Sequence, residues 1–199
     1  MIGLGGGSLA KFFHRRLPRL RTRVVERDER VIAAAREHFL LPPDDARLRV
    51  EHGDGAAALA PGCCDLLVVD GFDDERMPEA LVSRPFLDAA RGALRAPGAL
   101  VMNFMNDDPA LDRSLARLER AFGGALLCLP APRDPNVIAL GLCGAPRSVT
   151  WIDLRRRAAA LERRFGLRFA RYLERLRSMN RSTAAELVIT GEPGAAVAT

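Results

Sequence analysis

The chain has 199 residues, 48% hydrophobic and 28% charged, with a formal net charge of +5, which suits one globular domain large enough to bury a core. No run approaches the roughly 20 apolar residues of a membrane span, and glycine arrives by the third residue, leaving no room for a signal peptide. A cytoplasmic protein with no membrane partner is therefore expected.

The first feature in chain order is Gly3-Leu4-Gly5-Gly6-Gly7, which leads into a helix near Ser8. A glycine turn of this kind normally follows a buried strand of about five residues. Only Met1 and Ile2 precede it, so the first strand reads as truncated. Beyond the turn, β-rich runs at Thr22–Glu26, Leu48–Glu51, Asp65–Asp70, Ala99–Phe104, Ala125–Leu129 and Asn136–Leu142 alternate with helical periods. Val31, Ile32, Ala35 and Phe39 share one helical face, as do Phe86, Leu87, Ala90 and Leu94. Asp108 and Pro109 read as a cap and first position above Leu111, Leu115, Leu118 and Phe122. Thr150 and Asp153 have capping-box spacing, and Gly166 closes the helix they open. The alternation predicts an α/β fold, a doubly wound, mostly parallel sheet with helices on both faces. One domain over residues 1–190 is expected, with a frayed tail from 191 to 199.

Arginine supplies almost all the positive charge, Lys11 being the only lysine. Arginine clusters at Arg15–Arg23 and Arg155–Arg181. The second cluster lies on helical segments whose apolar positions, Phe165, Phe169 and Tyr172 among them, are well spaced for packing, which argues for solvated arginine faces and against a nucleic-acid partner. Cys63, Cys64, Cys128 and Cys143 form no CxxC pair and read as small buried apolar residues. His14, His38 and His52 show no metal-ligand spacing. No metal is expected.

Chemistry concentrates at the predicted carboxyl ends of the strands, where open α/β sheets bind ligands. Gly3, Gly5 and Gly7 would let the backbone turn sharply and a ligand approach closely. Glu26 ends the next strand about 20 residues on, the place of a carboxylate that holds a ribose hydroxyl pair. Gly53-Asp54-Gly55 follows the strand after that. Asp54 there reads either as an acceptor for an adenine amino group or as a turn aspartate. Asp70-Gly71-Phe72-Asp73 closes the run Leu66–Val69, and Asp74, Glu75 and Glu79 continue the acidity past Arg76. An acidic mouth favours a cationic substrate such as an amine.

These four elements, in this order, resemble the spermidine synthase (polyamine aminopropyltransferase) family within the S-adenosylmethionine-dependent methyltransferase fold. The resemblance covers Met1 to Phe104 well and the remainder more loosely. It implies a ribose-binding role for Glu26 and an adenine-reading role for Asp54. Asp70 and Asp73 match the family's Asp-x-x-Asp loop, the first aspartate serving as base or orienter for the attacking amine. Phe72 would lie against a sulfonium by cation–π attraction. The implied co-substrate is decarboxylated S-adenosylmethionine or S-adenosylmethionine, the partner is a small amine, and the resemblance leaves room for a homodimer. Three departures stand out: Gly6 occupies the place of the family's loop aspartate, Asp74 replaces a proline, and the family's N-terminal β-rich domain is absent from the sequence. Aminopropyl transfer, methyl transfer and a non-catalytic nucleoside-binding role remain open readings. A nicotinamide-dependent dehydrogenase explains the glycine turn and Glu26 but not Asp54 with the Asp70–Asp73 pair.

Overall fold

The computed structural model describes residues 1–72, 76–131 and 135–189. Helix α1 (Ser8–Arg16) is followed by β1 (Thr22–Glu26), α2 (Glu29–His38), β2 (Leu48–His52) and β3 (Cys64–Val69). Then come α3 (Arg84–Ala93), β4 (Leu94–Met105), α4 (Leu111–Ala121), β5 (Leu126–Pro130) and β6 (Asn136–Cys143). The described chain ends with β7 (Ser148–Thr150), α5 (Trp151–Phe165), α6 (Ala170–Met179) and β8 (Glu186–Val188). The tail expected to fray lies outside the described residues.

A parallel β1–β2 ladder and a four-stranded ladder β3–β4–β6–β5 are joined through the start of the chain. Ile2 bridges in parallel to Val25 on one side and to Val69 on the other. Its N–H donates to the Val68 carbonyl at 2.8 Å, and its own carbonyl accepts from Asp70 N–H at 2.9 Å. The sheet is therefore α/β and mixed rather than mostly parallel. β3 and β4 pair in parallel, whereas β6 runs antiparallel to both β4 and β5. The reason is loop length: the link from Pro130 to Asn136 is far shorter than the dozen or more residues of a parallel crossover.

Alternation along the strands sends side chains into separate cores. Ile2, Leu67, Val69, Leu100, Met102 and Phe104 pack with Phe86, Leu87 and Ala90 of α3 and with Leu118 of α4. Val24, Leu48 and Val50 pack instead with Ala10 of α1 and with Ile32 and Ala35 of α2. Val24 neighbours Val25, the bridge partner of Ile2, so the two clusters lie on opposite sides of the sheet. Leu87, Leu100 and Met102 are almost wholly buried, each worth about 1.5–3 kcal/mol. A third cluster of Ala125, Leu127, Trp151, Leu187 and Ile189 seats the C-terminal helices and the β7–β8 pair on β5.

Local signals set the helix ends. Asp28 caps α2 by accepting from Arg30 N–H, and Ser83 caps α3 by accepting from Phe86 N–H. Thr150 caps α5 through Asp153 N–H, while Gly166 ends that helix at φ 71°. Helix α4 begins at Leu111, later than Asp108 and Pro109 suggest. Asp108 instead closes a turn, its carboxylate accepting from Ala110 N–H and its carbonyl from Leu111 N–H. The cysteines also depart from expectation. All four are free thiols, yet only Cys128 is buried, and Cys63 is exposed because it sits in the turn before β3. Burial pushes the Cys128 thiol up to about 11. Among the described residues, no helix is long and apolar enough to cross a membrane.

Candidate functional site

The glycine turn lies where the carboxyl ends of β1, β2 and β3 meet, and hydrogen bonds fix it there. Gly3 N–H donates to the Val25 carbonyl, and Gly53 N–H donates to the Glu26 carbonyl, both at 2.9 Å. Gly3 has φ 90°, and a Cβ placed on it would lie 2.2 Å from the Asp70 carbonyl oxygen. Only glycine permits that approach. Gly7, at φ 68°, presses on Leu41 and precedes the first turn of α1. Gly5 differs: its φ is 51°, and a Cβ there would meet no atom within 4 Å. The turn is thus packed at both ends and open in its middle.

Glu26 is held by two backbone donors. Leu4 N–H, inside the glycine turn, reaches Oε2 at 2.8 Å, and Asp28 N–H reaches Oε1 at 3.0 Å. Charge-assisted bonds of this kind fix a carboxylate firmly. Each oxygen keeps a second lone pair for a ligand hydroxyl. The glycine turn and the acidic strand end thus form one unit, in which the turn's backbone orients the carboxylate.

Asp54 accepts from Ala56 N–H at 2.8 Å, the geometry of an aspartate turn, so this side chain shapes its loop. Gly55 lacks a side chain for a packing reason, since a Cβ would fall 2.4 Å from Ile2 Cγ2. Asp70 follows β3 directly, and its Oδ1 accepts from Asn103 Nδ2 at 3.1 Å. Phe72 is 37% exposed beside it. Asp73, with Asp74 and Glu75, lies outside the described residues. Glu79 does not add to an acidic mouth, because Arg117 pairs with it and Arg113 stands 4.0 Å away. The Arg117 guanidinium holds the Glu79 carboxyl below its usual range. Two residues that sequence reading passed over, Asn103 and Asn136, are linked to one another and reach Asp70.

A groove of about 480 Å³ runs between β1 and β3 alongside Met1 and Ile2, lined by residues that include Thr22, Val25, Gly55, Leu66 and Arg95, so that of the predicted site residues Gly55 lines it. Glu26, Asp54 and Asp70 take no part in it. Among the described residues, no group of three or more His, Cys, Asp or Glu side chains is placed to hold a metal ion.

No family model matches the chain. It is 36% identical over 190 residues to a polyamine aminopropyltransferase of Chromobacterium violaceum, covering 94% of this chain and 73% of that protein. A polyamine aminopropyltransferase of Neisseria meningitidis serogroup B is 36% identical over 181 residues, covering 90% of this chain and 69% of that one. Among solved structures, human methyltransferase-like protein 13 in complex with SAH superposes with a TM-score of 0.73 at 27% identity, covering 83% of this chain and 80% of that chain. A probable spermidine synthase from Corynebacterium glutamicum gives 0.61 at 23% identity over 71% of this chain and 55% of that one, a likeness of fold. On the extent and level of these identities, the chain belongs to the polyamine aminopropyltransferase (spermidine synthase-like) family, within the S-adenosylmethionine-dependent methyltransferase fold.

Proposed function

We propose that the chain is a cytoplasmic alkyl transferase, a single domain over residues 1–190. It binds decarboxylated S-adenosylmethionine or S-adenosylmethionine at the glycine turn and passes an aminopropyl group to a polyamine-type amine. The observation that carries this reading is Glu26, fixed by Leu4 N–H from the turn and by Asp28 N–H. A carboxylate so held suits a ribose hydroxyl pair, and the open space beside Gly5 suits the close approach of a nucleoside. Core clusters on both sides of the sheet fit a doubly wound arrangement, with the ligand at the strands' carboxyl ends.

The donor supplies a carbon made electrophilic by its sulfonium. This chain's residues do the rest. Free alkylamines are mostly protonated near pH 7 (the lysine reference is about 10.4), and only the neutral form attacks. Asp70, beside the glycine turn, takes the proton and aims the nitrogen. The new C–N bond forms as the C–S bond breaks, its electron pair staying on sulfur in a neutral thioether. We assign Asp73 to holding the amine's charge, Phe72 to facing the sulfonium, and Asp54 to the adenine. Methyl transfer is the second reading. Gly6, which offers no carboxylate to a donor's amine, and the superposition on a methyltransferase favour it.

Calorimetry against both donors, then incubation with putrescine and each donor followed by mass spectrometry, separates the readings. An aminopropyl adduct supports the first and a methyl adduct the second. Asp70→Asn should abolish turnover while leaving donor affinity within about twofold, because the substitution keeps size and shape but removes the base. Retained turnover contradicts the role given to Asp70.

A further inference from the structure

Three polar side chains from successive strands line up at the site edge. Val69 pairs with Met102 in the β3–β4 ladder, so Asp70 and Asn103 occupy the next rung. Asn103 faces Ile138 across the antiparallel ladder, and Asn136 is its diagonal neighbour. Asn103 Nδ2 donates to Asp70 Oδ1 at 3.1 Å, and Asn136 Nδ2 donates to Asn103 Oδ1 at 2.9 Å.

We infer that Asn103 is a positioning residue for Asp70, and that Asn136 sets the direction in which the Asn103 amide points. The chemistry of the groups dictates one polarity. An ionised carboxylate only accepts hydrogen bonds, whereas an amide both donates and accepts. Asn103 must therefore turn its NH₂ toward Asp70, which leaves its oxygen facing Asn136, and Asn136 must supply an NH₂ in turn. Without Asn136, a flipped Asn103 would set its oxygen against the carboxylate. The relay occupies Oδ1 of Asp70 and fixes the carboxyl plane, leaving Oδ2 for the acceptor nitrogen. Asp70 itself is exposed while both asparagines are half-buried. The anchoring thus comes from the sheet side and leaves the solvent side open to substrate.

This inference rests on Asp70 as the base, and the experiment separates the two. Asn103→Ala, Asn136→Ala, their double variant and Asn103→Asp are compared with wild type and Asp70→Asn. The readouts are thermal unfolding, donor calorimetry, amine kinetics with putrescine, and the NMR signals of the Asn103 side-chain amide. Donor affinity should stay unchanged in all four. Asn103→Ala should lower kcat/KM for the amine about tenfold, the size of one hydrogen bond to a charged group partly open to water. Asn136→Ala should act in the same direction but less. The double variant should be no worse than Asn103→Ala, because one relay is broken once. Asn103→Asp should be worse than Asn103→Ala, since it sets carboxylate against carboxylate. The Asn103 amide signals should move when either Asp70 or Asn136 is replaced. Wild-type amine kinetics in Asn103→Ala, or independent losses that multiply in the double variant, overturn the relay. If wild type and Asp70→Asn turn over alike, or neither does, it is Asp70 as base that fails. The amide signals then judge the relay alone, and signals indifferent to Asp70 overturn it.

Discussion

Gly3 and Gly5 are two residues apart, and alanine at each should do opposite things. At Gly3 the new Cβ would meet the Asp70 carbonyl oxygen at 2.2 Å and its carbon at 2.7 Å, with φ at 90°. The obstacle is backbone, and Asp70 N–H is tied to Ile2 within the sheet, so it cannot step aside cheaply. Overpacking costs about 1–3 kcal/mol and left-handed backbone a further 1–2 kcal/mol, roughly. The sum, about 2–5 kcal/mol, is a large share of the roughly 5–15 kcal/mol that holds a domain folded. At Gly5 the Cβ meets nothing and only the backbone term applies, about 1–2 kcal/mol, or a fall of about 2–8 °C in Tm for a chain of this size. That methyl nevertheless enters the open space beside the turn, which is the donor site proposed above. Gly5→Ala should therefore fold and lose at least about tenfold in donor affinity, roughly 1.4 kcal/mol. Thermal unfolding with and without donor, together with calorimetry, reads both terms. A Gly3→Ala variant as stable as Gly5→Ala refutes the packing argument. A Gly5→Ala variant that binds both donors like wild type refutes the cradle.

Glu26→Gln turns one amide NH₂ against a backbone N–H and replaces one of the two oxygens proposed to accept from the ribose, so donor affinity should fall about 10- to 100-fold in calorimetry; unchanged affinity would remove Glu26 from the site. Asp28 is held down to about 2 by the Arg30 guanidinium and by the Arg30 backbone N–H. Its native pKa is depressed, so its stabilisation is complete above the ordinary value near 3.9 and is lost as pH falls through about 2. Asp28→Asn should flatten acid unfolding in that window and nowhere else; an unaltered acid limb would count against this. Among the thiols, exposed Cys63 should react first with iodoacetamide, and buried Cys128 only on unfolding. Mass-mapped alkylation in the reverse order would contradict the packing of β5.

Much of the fold is legible because local rules and tertiary packing agree. Thr22–Glu26 is a strand in both readings, and Thr150, Asp153 and Gly166 bound α5 as their residue types require. The direction of β6 escapes periodicity, since an alternating strand looks the same either way round and only the short link to β5 decides it. The β7–β8 pair escapes as well: Glu186–Val188 carries one buried residue, Leu187, too little pattern to register. At the site, glycines and carboxylates announce themselves by type and spacing. Which glycines serve packing and which face open space depends on neighbours distant in sequence, such as Asp70 against Gly3 and Ile2 against Gly55. Glu79 looks free in a linear reading because its partner, Arg117, lies on another element. Asn103 sends no signal at all, being one polar residue in an apolar strand.

The most direct test of the account is donor binding followed by transfer in one preparation of the wild-type chain. Calorimetry should show decarboxylated S-adenosylmethionine or S-adenosylmethionine binding at one site. With putrescine and the decarboxylated donor, mass spectrometry should then show the aminopropylated amine and the thioether nucleoside in equal amounts. If neither donor binds, or a donor binds with equal affinity to wild type and to Glu26→Gln, the adenosyl site built on the glycine turn is wrong.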